Sequence, residues 1–362
     1  MATATKKPDY IVSPGAILDE ILEERGIPKQ AFAERCGRSP KFVSEVIAGK
    51  APVTEETALQ FGRVLNMEPQ VWVNLESNYR LRLAEQEEER RFARQVAWAK
   101  AFPVKDMVQH GLLDKPGSPA ETVRNILAFF RCASVESFNE MVAARQGAVA
   151  YRRSPSFVGH PQAVMAWLQW GERIAEGMDC RTYDPVKFRA CLKEARRLTM
   201  SGPEEIQSTL GQICADAGVA LVLAPELAGT KLSGAARWVG DRPLLQLSLR
   251  HKSDDHFWFT FFHEAGHILL HGKKGMFIDE DKAAADDPKE AEANEFAASS
   301  LIPKHVWKSF AVRRRFDEGS IRKFSEECGI APGIVVGRLQ HERILPFNTR
   351  LNCLKQRFEW SN

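Results

Sequence analysis

Residues 253–272 of the 362-residue chain leave few options for its fold. Ser253, Asp254 and Asp255 supply a cap and first-turn acids for a helix. That helix reads HFWFTFFHEAGHILLH, and Gly272 ends it. Phe257, Trp258, Phe259, Phe261 and Phe262 leave it no solvent face at its amino end, so it belongs inside a domain. Two histidines and a glutamate follow in the same apolar setting. Buried polar groups are costly unless something engages them. His263 and His267 stand four residues apart and share one face of the helix, so both imidazoles can reach a single metal ion. Zinc at such a site lowers the pKa of water toward ~7, and Glu264, next to the first ligand, is placed to take the proton as general base.

Two histidines need a third ligand. The extended pattern HExxHxxGxxH is excluded, because position 270 is Leu and position 273 is Lys. His271 lies one turn beyond His267 and two turns from His263, which makes it a poor ligand. It reads as a helix-terminal histidine favoured by the dipole. The next helix, over 289–301, offers Glu290, Glu292 and Glu295. Glu290 has Asn294 on the same face, and a ligand carboxylate with an amide one turn on makes a sensible outer shell. Glu292 and Glu295 read as solvated charges.

At these residues the chain resembles the ImmA/IrrE metallopeptidases, whose second motif runs E-x-x-A-[N/D]-x-F-A. Glu290, Ala293, Asn294, Phe296 and Ala297 match it, and the likeness spans roughly 203–303. It implies a gluzincin-type site with His263, His267 and Glu290 on Zn2+ and Glu264 as base. It also implies hydrolysis of a peptide bond in a regulatory protein. One departure stands out. Gluzincins often use a downstream Tyr or His to stabilise the oxyanion, yet the tyrosines here are 10, 79, 151 and 183, all upstream. His305 and Arg250 are the substitutes on offer.

The other motif lies near the start. PKQAFAERCGRSPKFVSEVIAGK predicts a helix, a tight turn at Gly37 and a second helix opened by Ser39-Pro40, with Val43 and Val46 inward. A recognition helix enters the major groove by its amino end. Ser39, Lys41, Phe42 and Ser44 are therefore the candidate DNA-facing residues, with Lys50 on the phosphate backbone. Residues 13–75 resemble the Xre/HigA-type helix-turn-helix in the Gln30–Ala33 phrase, Ser44, Gly49 and the Thr54–Leu65 helix. The resemblance implies double-stranded operator DNA, binding as a homodimer, and a HigA-like antitoxin role as an alternative.

Charge distribution fits two functions on one chain. The net charge is only +3, but residues 25–50 and 304–362 are basic while 272–300 are acidic. Seven scattered cysteines without a CxxC pair suit a reducing cytoplasm rather than a disulfide framework. No apolar run is long enough for a membrane helix, and no secretory leader is evident. From about 203 two strands are expected, in GVALVLAPEL and in RPLLQLSLR, the second with one face buried by its period-two alternation.

The expected architecture is a multidomain, mainly α chain. It comprises an all-α helix-turn-helix domain at 1–88, a helical linker or dimerisation region at 89–200, an α+β zincin-like core with a small sheet at 201–303, and a helical tail at 304–362. The expected function is a DNA-binding transcriptional regulator carrying a zinc endopeptidase domain. The alternative is an antitoxin or repressor whose peptidase-like domain binds zinc, toxin or ligand without catalysis.

Overall fold

The computed structural model describes residues 12–146, 160–273, 277–279, 287–313 and 316–359. The chain divides into two compact units: residues up to Gln95 with Pro119–Glu121, and Val96–Ser118 with Thr122 onward.

The first unit is all-helical. It holds α1 (Pro14–Glu24), α2 (Lys29–Cys36), α3 (Pro40–Ile47), α4 (Glu55–Leu65) and α5 (Pro69–Arg94). Its boundaries follow side-chain chemistry. Ser13, Ser39 and Thr54 each accept a backbone N–H at an amino terminus, and Gly37 turns the chain at φ 68° between α2 and α3. Leu18, Phe32, Val43, Val46, Ala58, Phe61 and Trp72 fill one core. Glycine at position 15 is required by that packing, since a Cβ would lie 2.0 Å from the Val46 carbonyl oxygen.

The second unit opens with α6 (Val96–Ala99), α7 (Val104–Gln109), α8 (Pro119–Phe130, with its first turn grouped in the other unit) and α9 (Val135–Gln146). Then come α10 (Pro161–Glu176), α11 (Pro185–Leu198) and α12 (Pro203–Asp216), followed by β1 (Ala220–Leu223), β2 (Gly234–Val239) and β3 (Arg242–Leu247). The histidine-bearing helix is α13 (Asp254–His271). After it come β4 (Phe277–Asp279), α14 (Pro288–Leu301), α15 (Lys304–Ala311), α16 (Glu318–Cys328), α17 (Pro332–His341) and a 3-10 turn at Arg350–Leu354.

The sheet runs β1-β3-β2-β4, with β1 and β3 parallel and the other pairs antiparallel. Leu245 and Leu247 of β3 join the large core that α13 occupies. The opposite face is also covered, contrary to the expectation for β3. Gln246 is fully buried there, donating to the Trp167 carbonyl at 2.7 Å and accepting from the Arg237 guanidinium at 2.9 Å. Its polar side chain marks a satisfied contact under α10 rather than a solvent face. Helix α10 lies within the stretch read as a linker, yet Trp167 donates to the Ala224 carbonyl and Arg237 donates to that of Leu168. Strand β2 has no local signature because it carries Gly, Ala and Arg instead of a β-branched run, and β4 has none because it is only three residues long.

No described helix is long and apolar enough to cross a membrane. All seven cysteines are free.

Candidate metal centre and helix-turn-helix

Helix α13 is buried almost all round. Phe257, Trp258, Phe261 and Phe262 hold it in the core, and His263, Glu264 and His267 are at most 2% exposed. The i, i+4 spacing brings the Nε2 atoms of His263 and His267 to 3.0 Å. Glu290, from the first turn of α14, completes a triangle. Its Oε2 lies 3.2 Å from His263 Nε2 and its Oε1 3.5 Å from His267 Nε2. A tetrahedral ion with bonds of about 2.0–2.1 Å needs ligand atoms roughly 3.3 Å apart, and the triangle has that size. Among the described residues, this is the one group of three such side chains that could hold a metal ion.

The surroundings orient the ligands. Asn294 Oδ1 stands 3.0 Å from His263 Nδ1, which turns Nε2 toward the shared point. His267 Nδ1 stands 3.0 Å from His271 Nδ1, and His271 Nε2 stands 3.0 Å from Glu292 Oε2. His271 and Glu292 therefore buttress His267 from behind. The sequence reading gave them a dipole role and a solvated role. The signal lies in the further i+4 step from His267 to His271, which spacing alone assigns to a poor ligand or to the helix dipole. Phe277 of β4 stacks on the His267 ring, with centroids 4.0 Å apart. Glu295 is the solvated charge expected, paired at the surface with Lys304.

Electrostatics favour metal-ready protonation states. Burial pushes the His267 imidazole down to about 4, against a smaller upward pull from Glu290, so it is neutral with a lone pair to offer. Burial alone would raise the Glu290 carboxyl, but its contacts with His263 and His267 outweigh that and hold it at about 2.

Two glycines set the close approaches. A Cβ on Gly266 would meet Phe296 Cδ1 at 3.1 Å and Ala293 Cα at 3.4 Å, so glycine lets α14 lie against α13. A Cβ on Gly234 would sit 2.8 Å from Glu264 Oε1 and 2.7 Å from Thr260 Cγ2. The edge of β2 thus fixes where the Glu264 carboxylate rests.

The two oxyanion candidates are not part of the triangle. His305 is exposed on α15. The Arg250 guanidinium donates to the Lys231 carbonyl and pairs with Glu226 at 3.5 Å. Tyr10 and Tyr151 lie outside the described residues, and Tyr183 packs against Phe188 and Trp238.

In the first unit, α3 buries Val43 and Val46 and turns Lys41 and Ser44 outward. Lys50 follows on the exposed turn. Ser39 accepts from the Phe42 backbone N–H at 3.1 Å, so its hydroxyl is engaged in capping. Phe42 is half-buried, with the Arg38 guanidinium over its ring at 5.2 Å.

Residues 215–340 match a peptidase-family model described as the IrrE N-terminal-like domain. The N-terminal region resembles the HTH-type transcriptional regulator YddM of Escherichia coli, 35% identical over 72 residues, 20% of this chain and 77% of the relative. It also resembles the virulence-associated protein I of Dichelobacter nodosus, 32% identical over 79 residues, 22% of this chain and 73% of the relative. Among solved structures, an antidote protein of a plasmid maintenance system from Nostoc punctiforme aligns at 30% identity and TM-score 0.23. That alignment covers 23% of this chain and 91% of the other. An addiction module antidote protein of the HigA family from Coxiella burnetii aligns at 21% identity and TM-score 0.22, covering 24% and 94%.

Proposed function

From a chain that belongs to the HTH-type transcriptional regulators by its N-terminal part and carries an IrrE N-terminal-like domain at residues 215–340, we propose a DNA-binding regulator with a working zinc endopeptidase. One observation carries the peptidase reading: His263, His267 and Glu290 present three ligand atoms to a common point, beside a buried Glu264.

The donor set fits zinc. It offers two imidazoles and one carboxylate, with room in the count for a fourth position, as catalytic zinc sites require. When bound, zinc supplies a Lewis acid that polarises a peptide carbonyl and makes water easier to deprotonate. The chain's own residues do the rest. Glu264 Oε1 or Oε2 takes a proton from the attacking water and delivers it to the departing amine nitrogen. Gly234 leaves room for that carboxylate, since a Cβ there would sit 2.8 Å from its Oε1. Asn294 and His271 keep the two imidazoles turned inward. The substrate class is a regulatory protein, cut within its chain.

The helix-turn-helix offers Lys41 and Ser44 to a major groove and Lys50 to phosphate, with homodimers on a two-fold operator as the expected form. Seven free cysteines suit a reducing cytoplasm. A second reading, an antitoxin or repressor whose peptidase-like domain binds zinc, toxin or ligand without cutting, is favoured by one observation. Arg250 is tied to Glu226 and the Lys231 carbonyl rather than turned to the triangle.

Glu264→Gln separates the two readings. About one zinc per chain in wild type and in Glu264→Gln, with zinc lost in His263→Ala and Glu290→Ala, supports the metal site. Proteolysis of a co-expressed regulator that vanishes in Glu264→Gln supports catalysis. Zinc binding with no cleavage by wild type supports the antitoxin reading.

A further inference from the structure

Residues 351–358 return to the amino end of α13. Leu351, Leu354 and Phe358 pack on the large core. Ser253 and Arg357 form an antiparallel bridge, the Asp254 N–H donates to the Gln356 carbonyl at 2.9 Å, and the Phe358 N–H donates to that of Lys252 at 3.1 Å. Beside this junction lies a cavity of about 370 Å³. Arg250, His251, Lys252, Lys355 and Arg357 line it, and among the described residues no carboxylate does.

Two of those cations are compensated inside the fold. Lys355 donates to Asp255 at 2.7 Å and to the Gln340 amide oxygen at 2.8 Å, while Arg250 has Glu226. Lys252 and Arg357 form no ion pair among the described residues, and both are exposed at the cavity. The wall also carries Phe347, whose side chain is 73% exposed. Among the described residues, no ring or cation covers the flat face of this outward aromatic beside the unbalanced cations. The combination suits a ligand that is anionic at one end and planar at the other. The volume falls within the few hundred Å3 typical of small-molecule sites, and inorganic phosphate alone would fill little of it.

We propose that this cavity binds a small phosphate-bearing ligand of the nucleotide class, with the phosphate on Lys252 and Arg357 and the planar base against Phe347. The site is separate from the metal centre. On the side of α13 its lining goes no further than the capping Ser253, ten residues and therefore about 15 Å along that helix from His263. A bound anion bridges residue 252 on the approach to α13 with residue 357 of the returning tail, and so fastens the tail to the helix that carries the histidines.

The test uses the full chain and calorimetric titration with two probes, adenosine monophosphate and inorganic phosphate, with and without a metal chelator. Both probes are expected to bind, the nucleotide more tightly, with affinities that fall as salt rises. Lys252→Gln combined with Arg357→Gln is expected to weaken both by about tenfold or more. Phe347→Ala is expected to weaken only the nucleotide, and chelation to change neither. These side chains are exposed, so unchanged thermal unfolding of the free variants shows that the fold is intact. Failure of both probes to bind at millimolar concentration overturns the proposal, as does undiminished binding by the double variant. Binding of an acidic peptide in place of the nucleotide also overturns it, and assigns the cavity to a protein partner.

Discussion

Replacing Gly266 with valine should loosen the metal site from a position that touches no metal. The Cβ alone lands 3.1 Å from Phe296 Cδ1 and 3.4 Å from Ala293 Cα, which needs a few tenths of an ångström of give. The two added methyls reach further and meet the backbone of α14, which cannot rotate out of the way. Helix α14 must then move outward by about 1 Å, and overpacking of this kind costs roughly 1–3 kcal/mol. That helix carries Glu290 and Asn294, which stand 3.2 and 3.0 Å from the two nitrogens of His263. Metal–ligand distances tolerate only about 0.2 Å, so zinc affinity should fall at least about tenfold. A tenfold loss removes about 1.4 kcal/mol of zinc-linked stabilisation at fixed metal concentration. Gly266→Ala is the control. Alanine gains up to about 1 kcal/mol in helix propensity, which offsets the milder contact, so its stability should stay within about 1 kcal/mol of wild type. Competition against a chromophoric chelator measures affinity, and thermal unfolding with and without zinc measures the linked stability. Wild-type zinc affinity in Gly266→Val would refute the claim that Gly266 sets the spacing of the ligand helices.

Three further outcomes are expected. His271→Ala should weaken zinc binding about 10–100-fold by releasing His267 Nδ1, while Glu292→Gln, at a 62% exposed side chain, should cost much less; the same competition titration ranks them. Asp254 is pushed up to about 7 by burial, with Asp255 adding to the rise and Lys355 opposing it. Since its folded pKa lies above the ordinary carboxyl value, its stabilising contribution is complete below about pH 4 and is lost as pH rises through about 7. Thermal midpoints recorded from pH 4 to 8 should therefore lose that part of their slope in Asp254→Asn. Lys41→Ala and Lys50→Ala should each lower DNA affinity about equally across sequences and reduce the log–log salt slope by about one, as read by fluorescence anisotropy at several salt concentrations.

Much of the side-chain geometry of the candidate site was legible along the chain because it rests on local periodicity. The spacing of His263 and His267 specifies a shared helix face wherever the helix sits, and Glu290 with Asn294 repeats the argument one helix later. The caps at Ser39 and Thr54 and the turn at Gly37 work within a few residues, so the boundaries of α3 and α4 needed no tertiary knowledge. Long-range packing decided what remained. Gln246 reads as a solvent position in β3 until α10 covers it, because alternation reports polarity and cannot tell water from a buried amide partner. Glycine at 234 and 266 has no local signature at all; its reason is a neighbour from another element at van der Waals distance. The role of His271 likewise depends on Glu292 arriving from α14, and the basic cavity on a tail returning more than 90 residues later. Short-range geometry is written into residue spacing, while contacts between distant elements exist only once the core has brought them together.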